Sequence, residues 1–121
     1  MTITQVTSAG PGNAVMVHID LGEVTEVVTS LGERGVLAED VACNAADAAE
    51  ALLTANVPVG EHLADQLLIP MALAGGGAFR TLAPSLHTRT NAQVVERFLP
   101  VKILLREDRG TASWIVDVQH A

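Results

Sequence analysis

Cysteine is almost absent from this 121-residue chain; Cys43 stands alone. A single cysteine excludes an internal disulfide and a cysteine zinc cluster, and it fits a reducing, cytoplasmic setting. Tyr is missing, and one Trp with two Phe brings aromatics to 2%. The core must then be built from Val, Leu, Ile and Ala. A platform of several aromatic rings for stacking nucleobases is excluded. Positive charge is scarce: 7 Lys and Arg stand against 14 Asp and Glu, for a net charge of -7. That excludes a basic grip on nucleic acid over the whole surface. The uncharged stretch Leu67–Phe79 is glycine-rich and shorter than the roughly 20 apolar residues of a spanning helix, so no membrane partner is expected. The opening MTITQVTSAG has neither the basic start nor the apolar run of a secretory signal. No Gly-x-Ser-x-Gly, Walker, HxH or HExxH pattern occurs.

What is present is apolar and small. Hydrophobic residues make up 49%, and the mean hydropathy is +0.34. One packed domain fits that length and composition. The charge is uneven. Residues 1–77 hold one basic residue, Arg34, and ten acids. The other basic residues, Arg80, Arg89, Arg97, Lys102, Arg106 and Arg109, all follow. This leaves open a local anion site in the C-terminal part, against the plainer reading of scattered solvated charges.

Residues 1–13 read as a lead-in segment ending in the turn Gly10-Pro11-Gly12-Asn13. Ala14–Asp20 and Val24–Leu31 are rich in β-branched residues and predict two antiparallel strands. Residues 38–56 predict a helix with Val41, Ala45, Ala48, Ala49 and Leu52 on one face; Cys43 reads as a small buried hydrophobe on it. Pro58 and Gly60 stop that helix. Residues 61–74 predict a second helix, with Pro70 inside it as a kink. Ala78–Ala83 is a short strand, 84–89 a polar loop, and 90–99 a third helix capped by Thr90. Val101–Arg106 and Ser113–Val118 close the chain as strands, with His120 beyond them in a loose end. The order ββααβαββ predicts an α+β domain over 14–121, with helices packed on one face of a mixed sheet.

Three stretches can carry chemistry. Gly75-Gly76-Gly77 follows a helix and precedes a strand, the reverse of a phosphate-cradling loop, so a helix C-cap is favoured. Glu61-His62-Leu63-Ala64-Asp65-Gln66 opens the second helix; His62, Asp65 and Gln66 can share a face, although capping alone accounts for the acids. Pro84 to Asn91 holds His87 among Ser, Thr, Arg and Asn just before a helix start, where anions are attracted. A neutral imidazole there can attack phosphorus, and a polar surface loop is the competing reading.

Taken together, Gly10-Pro-Gly-Asn-Ala14, Gly32-Glu-Arg-Gly-Val36 with Ala38-Glu39, the run Glu61-His-Leu-Ala-Asp-Gln-Leu-Leu-Ile-Pro-Met-Ala-Leu-Ala-Gly75, and Ser85-Leu-His87-Thr-Arg-Thr-Asn91 with Glu96-Arg-Phe-Leu-Pro100 resemble the RNA 3′-terminal phosphate cyclases, in order and spacing. The resemblance implies the fold of the last repeat of that family's large domain, with the preceding repeats and an inserted domain absent here. It implies ligase-type nucleotidyl transfer in RNA processing: a histidine attacks the α-phosphorus of ATP, AMP passes to an RNA 3′-phosphate end, and the neighbouring 2′-hydroxyl displaces AMP to leave a 2′,3′-cyclic phosphate. His87 matches the nucleophile. His62, Leu63, Ala64, Asp65 and Gln66 match the adenylate-contacting segment, with His62 where members often carry Tyr. ATP and Mg²⁺ or Mn²⁺ are the implied cofactors, and a separate N-terminal cyclase chain or self-association is the implied protein partner. The competing functions are a non-catalytic RNA-processing or assembly domain and an inactive remnant of the fold.

Overall fold

The computed structural model describes residues 1–121. Residues 1–13 hold no helix or strand. Strand β1 (Ala14–Asp20) and strand β2 (Thr25–Leu31) form an antiparallel hairpin with Ile19 opposite Glu26 and His18 opposite Val27. Its turn is closed by Leu21 N–H donating to the Val24 carbonyl at 2.9 Å and Gly22 N–H to the Asp20 carboxylate at 2.9 Å. Gly22 sits at φ 91°, a conformation that favours glycine. Side chains alternate: Val17, Ile19 and Val28 face inward, while Met16, His18 and Val27 are exposed.

Helix α1 (Ala38–Ala55) lies on the inner face of that hairpin and buries Val41, Ala45, Ala49 and Leu52. Ile19, Ala49, Leu52 and Val57 make a small core. Ala48 and Cys43 point outward, so the expectation of a buried cysteine is corrected. Cys43 lies off the stripe set by Val41, Ala45, Ala49 and Leu52. In so alanine-rich a helix, composition leaves the rotational phase nearly free.

Helix α2 (Glu61–Leu73) continues through Pro70. It ends in a Schellman cap: Gly76 N–H donates to Met71 O at 3.0 Å and Gly75 N–H to Ala72 O at 3.3 Å. A Cβ on Gly76 would stand 2.8 Å from the Val118 carbonyl, so the chain turns here only with glycine. The triple glycine is therefore a helix end, as the order of elements suggested.

Strand β3 (Gly77–Thr81), helix α3 (Leu86–Phe98), strand β4 (Val101–Asp108) and strand β5 (Ser113–His120) complete the chain. The second sheet has the order β3-β5-β4, antiparallel throughout. Helices α2 and α3 pack on it around Leu68, Ala72, Ala92, Val95, Val101, Ile103, Val116 and Val118. His120 belongs to β5, opposite Val101, and is not a loose end.

The α+β class and the order ββααβαββ stand as expected. The sheet itself is divided into two antiparallel sheets. Their sole parallel element is one bridge, Val59 to Thr81. The segment between α1 and α2 is short and holds Pro58, which lacks an N–H for a ladder, so no full parallel strand forms there.

Candidate active site

Helix α3 starts earlier than its sequence suggested. Ser85 is the N-cap, and its hydroxyl accepts from Thr88 N–H at 3.2 Å and meets the Thr88 hydroxyl at 3.1 Å. Thr88 is fully buried. His87 is thus the second residue of the helix, exposed in the first turn, where backbone N–H groups lack helical partners. The polar loop and the Thr90 cap are corrected. Several hydroxyl residues compete for the cap here, and Ser85 wins because Thr88 returns two contacts to it.

Helix α2 starts at an equivalent place. The Val59–Thr81 bridge ties the segment leading into α2 to the strand leading into α3, so the two helices begin side by side. Strand β3 carries the chain back between them, and they run in the same direction. Asn91 locks them together: its Nδ2 donates to the Asp65 carboxylate at 3.0 Å and to the Asp65 carbonyl at 3.3 Å. Two motifs 26 residues apart in sequence are thereby one surface.

The spacing repeats on both helices. His62, Gln66, Ile69 and Leu73 follow one another at four, three and four residues along α2, and His87, Asn91, Val94 and Phe98 do the same along α3. Each stripe is polar at the N-terminal end and apolar beyond it. Ile69, Leu73, Val94 and Phe98 are exposed at 49%, 70%, 45% and 82%. Of the predicted nucleotide contacts, His62 and Gln66 are exposed and Asp65 and Leu63 are half-buried. Ala64 is buried in the helix packing, and its backbone N–H donates to Gly60 O at 2.9 Å.

Three of the C-terminal basic residues form ion pairs with acids. Arg80 pairs with Asp108 at 2.8 Å, Lys102 with Glu96 at 3.3 Å and Arg106 with Asp117 at 3.2 Å. The Arg89 guanidinium lies 5.0 Å from the Trp114 ring centroid, and its Nε donates to the Pro84 carbonyl at 3.1 Å. Four of the six basic residues of the C-terminal part are thus engaged with an acid or an aromatic ring. In the first turn of α3, His87 stands at the end of the helix where the dipole favours an anion.

Sequence reading missed Glu26. It is a buried carboxylate on β2 that accepts the Gly60 N–H at the start of α2. An acid on the inward side of an otherwise alternating strand was the available signal.

Residues 7–105 match the family described as RNA 3′-terminal phosphate cyclase. This chain belongs to that family. Proteins named RNA 3′-terminal phosphate cyclase are similar to it across most of its length. The one from Koribacter versatilis is 45% identical over 87% of this chain and 30% of its own length. Those from Ectopseudomonas mendocina and Ralstonia nicotianae are 50% and 48% identical, over 78% and 91% of this chain and 28% and 31% of theirs. The chain thus spans about 30% of the cyclases it matches. No helix in it is long and apolar enough to cross a membrane.

Proposed function

We propose that this chain supplies the nucleophilic histidine and part of the ATP site for conversion of an RNA 3′-terminal phosphate to a 2′,3′-cyclic phosphate. The observation that carries the reading is the Asp65–Asn91 hydrogen bond, which puts His87 and the His62–Gln66 segment at one end of a helix pair. His87 stands where unpartnered amides favour an anion. His62 and Gln66 offer a ring and a carboxamide to the nucleoside from the neighbouring helix.

A ring nitrogen of His87 attacks the α-phosphorus, forming an N–P bond as the bond to the β-phosphate oxygen breaks and pyrophosphate leaves. An oxygen of the RNA 3′-phosphate then takes the adenylyl group, returning the electron pair to His87. The vicinal 2′-hydroxyl attacks the activated phosphorus, loses its proton and expels AMP. Such transfers need positioning and charge neutralisation above all. No group of three His, Cys, Asp or Glu stands together to hold a metal ion, and the Asp65 carboxylate is engaged by Asn91. In this reading Mg²⁺ or Mn²⁺ arrives with the triphosphate, and the chain's residues hold the nucleotide.

The test places residues 7–105 in the matching segment of the Koribacter versatilis cyclase and incubates the chimera with α-labelled ATP. Acid-labile label is expected, lost in His87→Ala. Label that persists in His87→Ala, or a folded chimera that takes none, overturns the proposal.

A further inference from the structure

Glu26 has no part in the chemistry above, yet it is the one buried carboxylate of the chain, at 8% exposure. Its strand position opposite Ile19, itself in the small core, fixes where it points. Its Oε1 accepts the backbone N–H of Gly60, the N-cap of α2, from 34 residues away. Helix α2 has no side-chain cap of its own, whereas α3 has Ser85. The carboxylate lies flat against Gly60: a Cβ there would stand 3.0 Å from Oε1, 3.3 Å from Cδ and 3.4 Å from Oε2. A Cβ at position 60 would need the carboxylate to give way by a few tenths of an ångström. Glycine at the cap and glutamate on the strand are thus two halves of one contact.

The contact reaches the site in two steps. Gly60 O accepts from Ala64 N–H at 2.9 Å, closing the first turn of α2. The next residue, Asp65, is the one Asn91 holds. A negative group at a helix start is favoured by the unpaired amides and the helix dipole. We infer that Glu26 is a positioning residue: it caps α2 from the neighbouring hairpin and sets the height of His62, Asp65 and Gln66 against His87 on α3. Its bearing on the nucleotide rests on the function proposed above; the capping itself does not.

The test compares the chain with Glu26→Gln, which keeps an acceptor and the shape, and Glu26→Ala, which removes both. Amide hydrogen exchange, the Asn91 carboxamide resonances and an ATP titration are read by NMR. In Glu26→Ala, exchange at Gly60 is expected to accelerate and the Asn91 carboxamide to shift, while Thr88, capped by Ser85, keeps its protection. ATP affinity should fall roughly fivefold to tenfold, and Glu26→Gln should restore most of each effect. An unmoved Asn91 carboxamide, equal loosening at Thr88, or unchanged ATP affinity in Glu26→Ala overturns the inference. If Gly60 and Asn91 respond as expected but ATP perturbs neither His62 nor Gln66 in the unaltered chain, the capping stands and the nucleotide reading falls.

Discussion

The half of the chain built on β3-β5-β4 buries eight apolar residues in one core, whereas the β1–β2 hairpin, α1 and Val57 just after it share four. The larger half carries both helix stripes and the whole candidate site. The smaller half carries a two-stranded sheet, a form that is marginal without a packed partner. Its one polar hold on the site is the Glu26 carboxylate at Gly60. The difference suggests a division of work. One half supplies the reactive surface and the rigidity under it. The other aligns one of the two helices that make that surface.

The largest expected effect separates the two cores. Leu68 of α2 is fully buried against α3 and the three-stranded sheet, and Leu52 is 2% exposed under the hairpin. Leu→Ala at such sites costs about 2–5 kcal/mol, and more where the surroundings cannot collapse. Leu68→Ala should reach the upper part of that range and lower the urea midpoint of the whole chain. Leu52→Ala should fall in the lower part and free amide exchange in α1, β1 and β2 first. Equal losses with one common transition would show a single cooperative unit and end the distinction.

How far the sequence discloses this arrangement depends on the range of the interaction. Local features are legible. The bounds of β1, the start of α1 and the glycine cap of α2 follow from β-branched runs, alanine content and a Gly cluster after an apolar helix. The start of α3 is not, because Ser85, Thr88 and Thr90 are all plausible caps, and the choice depends on Thr88 being buried. Cys43 is misplaced for a related reason, since small side chains blur the phase of α1. The cross-strand ion pairs of Arg80 and Arg106 need the register of β3, β4 and β5, which no single segment contains. The site has the same dependence. His87 and the His62–Gln66 segment each stand out as polar points at helix starts, and the resemblance to cyclases links them in function. Only the Asp65–Asn91 bond and the Val59–Thr81 bridge show why they share a surface.

A second prediction sharpens the contrast between the helix starts. Ser85→Ala removes the local cap of α3 and should cost about 1 kcal/mol. Exchange should quicken at Thr88, the amide Ser85 holds, and leave Gly60 protected. The pattern is the mirror of that expected for Glu26→Ala. Loosening of both starts by Ser85→Ala would mean that the Val59–Thr81 bridge couples them more tightly than their separate caps do.

The smallest expected effect is a gain. Thr81 is fully buried at the bridge between the two helix starts, and its hydroxyl has no hydrogen-bond partner. A buried unpaired hydroxyl carries a desolvation cost of about 1–3 kcal/mol. Valine keeps the branched shape and the strand preference while removing that group. Thr81→Val should therefore stabilise the chain by up to about 1 kcal/mol, read as a higher urea midpoint with an unchanged slope. A loss would instead mean that the hydroxyl holds a buried water between the two helix starts. The point where the two halves meet would then be hydrated, and the smaller half would be held to the site by more than Glu26.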